Sequence, residues 1–361
     1  MIVVDAHADL AYNILTFGRD YTRAASETRR LEQGGEAPRH NGQTLLGWPD
    51  WVRGRVAVVF ATLFASPERK REGPWDTQSY TDSAQAHRIY SQQLDLYHHL
   101  AEDRPDRFRL LTRRGDLAPH LAEWREPGAE PPLGLVVLME GADGVRTPDE
   151  IAQWHGRGVR ILGPAWAGTR YAGGTGEPGL FTAEGRALLR AMADLGMILD
   201  LSHLAEEAAQ EAIASYPGVL IASHANPRAL MTAAPRPDRH LSDDVLRGLI
   251  ERGGVVGIVP YNRFLRAGWT PEDGRQAVPL TRVAEHIDYV CQIAGSTANV
   301  GLGTDFDGGF GLEEVPEGLD TVADLGSIGE VLRDRGYRPA EIEAILGGNW
   351  LDLLSRSLPE E

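Results

Sequence analysis

The chain has 361 residues, of which 42% are hydrophobic, and a net charge of −16 from 36 basic and 52 acidic side chains. A chain of this length buries a core without disulfide or metal support, and the single cysteine, Cys291, excludes a disulfide framework and a Cys-based zinc site. The negative field repels phosphate backbones, so nucleic acid is not an expected partner.

In chain order, the N-terminus MIVVDAHADL lacks a basic segment followed by a long apolar run and does not read as a signal peptide. Eight apolar runs of strand length follow: IVVDAH (2–7), RVAVVFATLF (55–64), GLVVLME (134–140), GVRILGPAW (158–166), GMILDLSH (196–203), GVLIASH (218–224), GVVGIVPY (254–261) and NVGLGTDFD (299–307). Runs apolar on both faces predict buried parallel strands. Helical spacing recurs between them, in AHRIYSQQLDLYHHLAED (86–103), in FTAEGRALLRAMADLG after a Thr cap, and in LSDDVLRGLIERGG (241–254). The alternation predicts a (β/α)8 TIM barrel, with all of 1–361 as one catalytic domain. A doubly wound open sheet is the alternative, but no glycine-rich dinucleotide turn follows the first run. The polar segments at about 18–50 and 65–76 read as loop insertions, and RFRLLT (107–112) as an extra short strand outside the eight. No run reaches the ~18 apolar residues of a membrane span, and the tail LLSRSLPEE carries no lipid-anchor pattern. With one cysteine, the protein reads as cytoplasmic, without a membrane partner.

Chemistry-bearing residues gather at the run ends: His7 and Asp9 after the first, Glu140 after the third, His203 after the fifth, His224 after the sixth, Asp305 and Asp307 after the eighth. In barrel enzymes these ends form the active site. A lone strand-end histidine is more often packed or capping than a ligand, and Asp305 by itself reads as a helix cap. The joint pattern is stronger. Three of eleven histidines close apolar runs, whereas His40, His87, His98, His99, His120, His155, His240 and His286 fall in predicted loops or helices, where solvated histidine is expected. Glu140 follows LVVLM, and a carboxylate buried there is costly unless paired or metal-bound. Three imidazoles and two carboxylates suit zinc, and also manganese or iron. A catalytic zinc takes about three protein ligands, so five are shared best by two zinc ions: His7 and Asp9 on one, His203 and His224 on the other, Glu140 bridging. A carboxylated lysine is excluded as bridge, because Lys70, the only lysine, lies in the polar run SPERKREGP.

These motifs bring a family into view. The chain resembles the membrane dipeptidase (renal dipeptidase, M19 peptidase) family, in its soluble bacterial branch, through DAHADL (5–10), MEGAD (139–143), GLFTAEGRALLRAMADLGMILDLSH (179–203), IASHANPRAL (221–230), GLGTDFDG (301–308) and RGYRPAEIEAILGGNWLDLL (335–354). The resemblance implies a (β/α)8 fold, two zinc ions on the same five ligands, and hydrolysis of dipeptides, in some members also of β-lactams. It puts the catalytic aspartate on Asp305, which would pass a proton from a metal-bridging water to the leaving amine. It puts the arginine for the substrate carboxylate on Arg239 or Arg236, with Arg239 favoured because RHLSDD fits the family pattern best. Tyr261 joins the substrate contacts, and a homodimer is implied. Trp166 is a departure: the resemblance implies a histidine there, touching the scissile carbonyl, whereas an indole donates one hydrogen bond and carries no charge. Arg170 and Tyr171 are the candidates to substitute for it. Trp166 supports the alternative of another amide or lactone substrate, such as an N-acyl amino acid or β-lactam. A non-catalytic metal-binding barrel is a third reading, opposed by Asp305.

Overall fold

In a computed structural model describing residues 1–360, the eight runs form a ring of parallel strands. The strands are β1 (Val3–Ala8), β2 (Val56–Phe64), β3 (Leu133–Glu140), β4 (Val159–Gly163), β5 (Ile198–Asp200), β6 (Leu220–Ile221), β7 (Val256–Ile258) and β8 (Val300–Leu302). The hydrogen-bonded order runs β7-β8-β1-β2-β3-β4-β5-β6, parallel throughout. A single parallel bridge, Ala222 with Val256, closes it, backed by the Gly257 N–H donating to the Ala222 carbonyl at 2.8 Å. The expected barrel is therefore present, and the open sheet is excluded. Phe108–Leu110 pairs parallel with β3 outside the ring, as RFRLLT predicted.

Val58, Phe60, Val136, Leu138, Ile161 and Ile198 pack in one buried cluster with Trp350 of the C-terminal helix. The Trp350 indole donates to the Leu302 carbonyl at 3.0 Å, and Asn349 donates to the Val300 carbonyl at 2.7 Å, so the GGNW motif plugs the barrel rather than serving its mouth. The predicted helices appear with their caps: Thr182 accepts from Gly185 N–H at 3.0 Å before Ala183–Asp194, and Ser242 from Val245 N–H at 3.4 Å before Asp243–Glu251. Among the described residues no helix is long and apolar enough to cross a membrane.

Two features depart from expectation. The strands β5 to β8 are only two or three residues long, although their apolar runs are longer. At the end of β5 the Asp200 carboxylate accepts the N–H groups of Ser202 (3.0 Å) and Ser223 (2.9 Å), which replaces ladder bonds with side-chain bonds. The segment 18–50, read as loop, holds three short helices, Ala25–Glu32, Glu36–His40 and Trp48–Gly54. Asp307 anchors it: this buried carboxylate accepts from Tyr21 Oη (2.8 Å) and Leu45 N–H (2.9 Å) and pairs with buried Arg19 at 3.0 Å. Asp307 is thus a clamp for the insertion, with its hydrogen-bonding capacity spent away from the expected metal ligands.

Candidate active site

The strand ends bring six side chains to one mouth of the ring. His7 lies in β1 and Asp9 caps the helix that follows it; Glu140 is the last residue of β3. His203, His224 and Asp305 sit just beyond β5, β6 and β8. The expected convergence of separate chain segments is what the structure places here. A register irregularity sets four residues of β1 (Asp5 to Ala8) against three of β2 (Val59 to Ala61), which re-aims the strand near His7. His203 (φ 64°) and Asp305 (φ 57°) adopt left-handed backbone conformations, costly for residues with a Cβ and characteristic of functional sites. Gly308 is required beside them: a Cβ there would lie 2.2 Å from Asp305 Oδ1 and 2.8 Å from Asp9 Oδ2.

The donor spacings divide at Glu140. Its Oε1 lies 3.3 Å from His203 Nε2 and 3.4 Å from His224 Nε2, and those two nitrogens are 3.0 Å apart. Two donors at roughly 2.05 Å from one zinc, at a tetrahedral angle, are about 3.3 Å apart; this triangle has the dimensions of one face of such a site. The other oxygen, Oε2, lies 3.6 Å from His7 Nε2, which is itself 3.8 Å from Asp305 Oδ1. His7, Asp9 and Asp305 form a second group whose donor atoms all lie within 4.8 Å. His7 Nε2 is buried and has no hydrogen-bond partner.

The outer nitrogens explain why the inner ones are free. Ser223 Oγ donates to the Asp200 carboxylate and so faces His224 Nδ1 (2.8 Å) and His7 Nδ1 (3.3 Å) as an acceptor. Thr175 Oγ1 meets His203 Nδ1 at 3.0 Å. Each imidazole then carries its proton on Nδ1 and turns the Nε2 lone pair inward, the tautomer a metal requires. Thr62 donates to Asp9 Oδ1 and aims that carboxylate. The sequence reading missed Asp200, Ser223, Thr175 and Thr62. Its only trace of them is a serine directly before two of the three run-end histidines, Ser202 and Ser223.

Burial sets the electrostatics. It pushes the Glu140 carboxyl up to about 8 and Asp9 to about 6, against the lowering fields of Arg239 and His7 respectively, and holds Asp305 well above the usual carboxylate range. It holds His203 and His224 well below the ordinary histidine value, helped for both by the nearby Arg239 and His7. Carboxylates that ionise reluctantly beside imidazoles that protonate reluctantly form a donor set that a cation would stabilise. The orphaned His7 Nε2 and the two facing lone pairs of His203 and His224 fit that group.

A cavity of about 740 Å³ opens above these atoms, and Arg239, Trp166 and Tyr261 all line it. Arg239 is buried, donates to the His224 carbonyl at 3.0 Å, and leaves Nη1 without a partner, whereas Arg236 is exposed. Tyr261 stacks on Phe310 at 4.0 Å and donates to Glu314 at 2.9 Å. Trp166 stands 6.1 Å from the His203 ring. Arg170 and Tyr171 do not reach the cavity: both are turned to the Val145 carbonyl, so neither substitutes for a histidine at Trp166. Nor are all the other histidines solvated, because His120, His240 and His286 are buried. Lys70 lines the cavity but pairs with Glu177 at 3.1 Å, away from the bridging position.

Comparison with known proteins decides the family. Residues 1–357 match the model of the membrane dipeptidases, peptidase family M19. The chain belongs to peptidase family M19. As an M19 member it is a hydrolase of the metallo-dipeptidase class, as its sequence motifs implied. A relative, the uncharacterized protein in the pqqA 5′ region of Klebsiella pneumoniae, is 35% identical over 279 residues, covering 74% of this chain and 95% of its own. The dipeptidase aclJ of Aspergillus oryzae is 27% identical over 361 residues, covering 98% and 77%. A metallo peptidase from Rhodobacter sphaeroides, solved with a phosphinate mimic of L-Ala-D-Ala, has the same fold, with a TM-score of 0.79 at 22% identity and 99% of each chain covered.

Proposed function

We propose that this M19 chain is a zinc dipeptidase that hydrolyses the one peptide bond of a dipeptide with a free carboxylate. The observation that carries this is the division at Glu140, one oxygen turned to His203 and His224 and the other to His7. His7 and Asp9 would hold one ion and His203 and His224 the other, with Glu140 serving both. When bound, the pair supplies positive charge that polarises a carbonyl and makes water acidic near neutral pH. Arg239 grips the substrate carboxylate through its unpartnered buried Nη1. Asp305 takes the proton of the attacking water on a carboxylate oxygen and delivers it to the leaving nitrogen. Trp166 walls the pocket and offers the carbonyl no charge. Trp166 also supports a second reading, cleavage of another amide or lactone such as an N-acyl amino acid or β-lactam. We further propose one catalytic domain across 1–361, acting in the cytoplasm as a homodimer.

The test is metal analysis together with release of free amino acids from a dipeptide library in added zinc. Two equivalents of zinc and dipeptide turnover are expected. His203→Ala or His224→Ala should lose one equivalent and nearly all activity; a metal-depleted variant with full activity refutes the assignment.

A further inference from the structure

The two walls of the cavity differ in kind. On the side of β6 to β8 stand Arg239 and Tyr261, with the ion pair of Arg263 and Glu314 at 3.0 Å. Facing it, above β1 to β4, the lining is aromatic: Tyr12, Phe64, Trp75 and Trp166. Three of these rings, Tyr12, Phe64 and Trp166, touch in series. Phe64 lies 5.7 Å from Tyr12 and meets Trp166 edge-on at 5.2 Å, and Trp166 continues to His203. Trp75 is held by stacking between His40 at 4.4 Å and Phe17 at 5.6 Å. The charges beside this wall are engaged, Lys70 with Glu177 and Asp76 with Tyr12 and Ser66; Glu72 stands exposed at the rim.

We infer that this wall receives the side chain of the substrate's first residue and selects bulky apolar, above all aromatic, ones. The inference rests on the dipeptidase reading: with the carboxylate on Arg239 and the amide over Glu140, the first residue extends toward the wall above β1 to β4. Trp166 is the specificity-determining residue, because it alone touches both Phe64 and His203 and so joins the wall to the metal donors. An indole at this position adds apolar area and edge-to-face contacts for a ring, and removes a site for a charge.

The test compares kcat/KM for L-Phe-L-Ala and L-Ala-L-Ala in the zinc-loaded enzyme, Trp166→Ala and Phe64→Ala. The phosphinate isosteres of both dipeptides, titrated calorimetrically, read binding whether or not turnover occurs. The native enzyme should prefer the phenylalanyl compounds about tenfold or more, the scale on which apolar pockets discriminate, and the ratio should fall toward unity in Trp166→Ala. Phe64→Ala should lower it too, and decides the matter if Trp166→Ala does not fold. Equal use of both compounds, a preference for the alanyl one, or a ratio retained in the variants overturns the pocket alone. Phosphinate preference without hydrolysis of either dipeptide sinks the dipeptidase reading and leaves the pocket standing.

Discussion

Ser223 shows how much of the site depends on a residue that carries no chemistry of its own. One hydroxyl, fixed by Asp200, faces the Nδ1 atoms of His7 and His224, proposed ligands carried by β1 and by the segment just beyond β6. Outer partners of this kind are worth about 10–100-fold in metal affinity. Ser223→Ala should therefore raise the zinc dissociation constant by about that factor, measured by chelator competition. An unchanged constant would show that packing alone orients the rings. Asp305→Asn keeps the shape and removes the proton acceptor, so both metals should stay while turnover is lost; metal loss would make Asp305 a ligand. Backbone strain is concentrated at the same place. Among the described residues four non-glycine ones have positive φ, and three of them, His203, Asp305 and Asp307, lie beyond β5 and β8 at the barrel mouth. A left-handed residue ends a strand abruptly and turns its side chain aside, which a regular strand end would not do. Of the outer partners and the strained backbone the sequence carries only the trace of a serine before two of the histidines, an ordinary dipeptide.

At the scale of elements, the apolar runs predicted where strands lie better than how long they are. Hydrophobic content marks burial on both faces, but a ladder bond is lost wherever a side chain such as Asp200 takes the N–H first. The helices within the insertion at about 18–50 were missed for a related reason. Its polarity reads as solvation, yet Arg19, Tyr21 and Thr44 each place a polar atom on one buried carboxylate, Asp307. A second tie joins the segment around 69 to the loop after β4. Arg69 and Lys70 both pair with Glu177, at 2.7 and 3.1 Å, two residues from the Thr175 that orients His203. The bond from Arg69, followed by that from Lys70, pushes the Glu177 carboxyl down to about 2 from an ordinary 4.5. A depressed carboxylate stabilises the fold above its unfolded value and loses that contribution as pH falls through its folded value. Glu177→Gln should thus lower the melting temperature slightly at pH 7, an exposed tie being weak, and the difference should shrink between about pH 4.5 and pH 2. A difference that stays constant across this range would show that the tie contributes no charge-dependent stability.

For the whole molecule, the mouth of the barrel is a stability problem that a bound cation would solve. Asp9 and Glu140 are buried and Asp305 partly buried at this one mouth, and desolvation opposes the ionisation of each. A ligand that binds only the folded state stabilises it by about 2.7 kcal/mol at a hundredfold excess over its dissociation constant. Chelation should therefore lower the melting temperature and zinc restore it, read by calorimetry; identical melts with and without zinc would contradict a folded-state metal site. The sequence by itself determined the ring of eight strands, the family and the six residues that meet at one mouth, because strand-length apolar runs and the polar residues that close them are local features of composition. Only the tertiary structure decided which oxygen of Glu140 faces which histidine, that Arg239 is buried and Arg236 exposed, that Asp307 clamps an insertion, and that Trp166 continues an aromatic wall. Each of these depends on segments far apart in the chain meeting at a few ångströms, a fact that no single stretch of sequence contains.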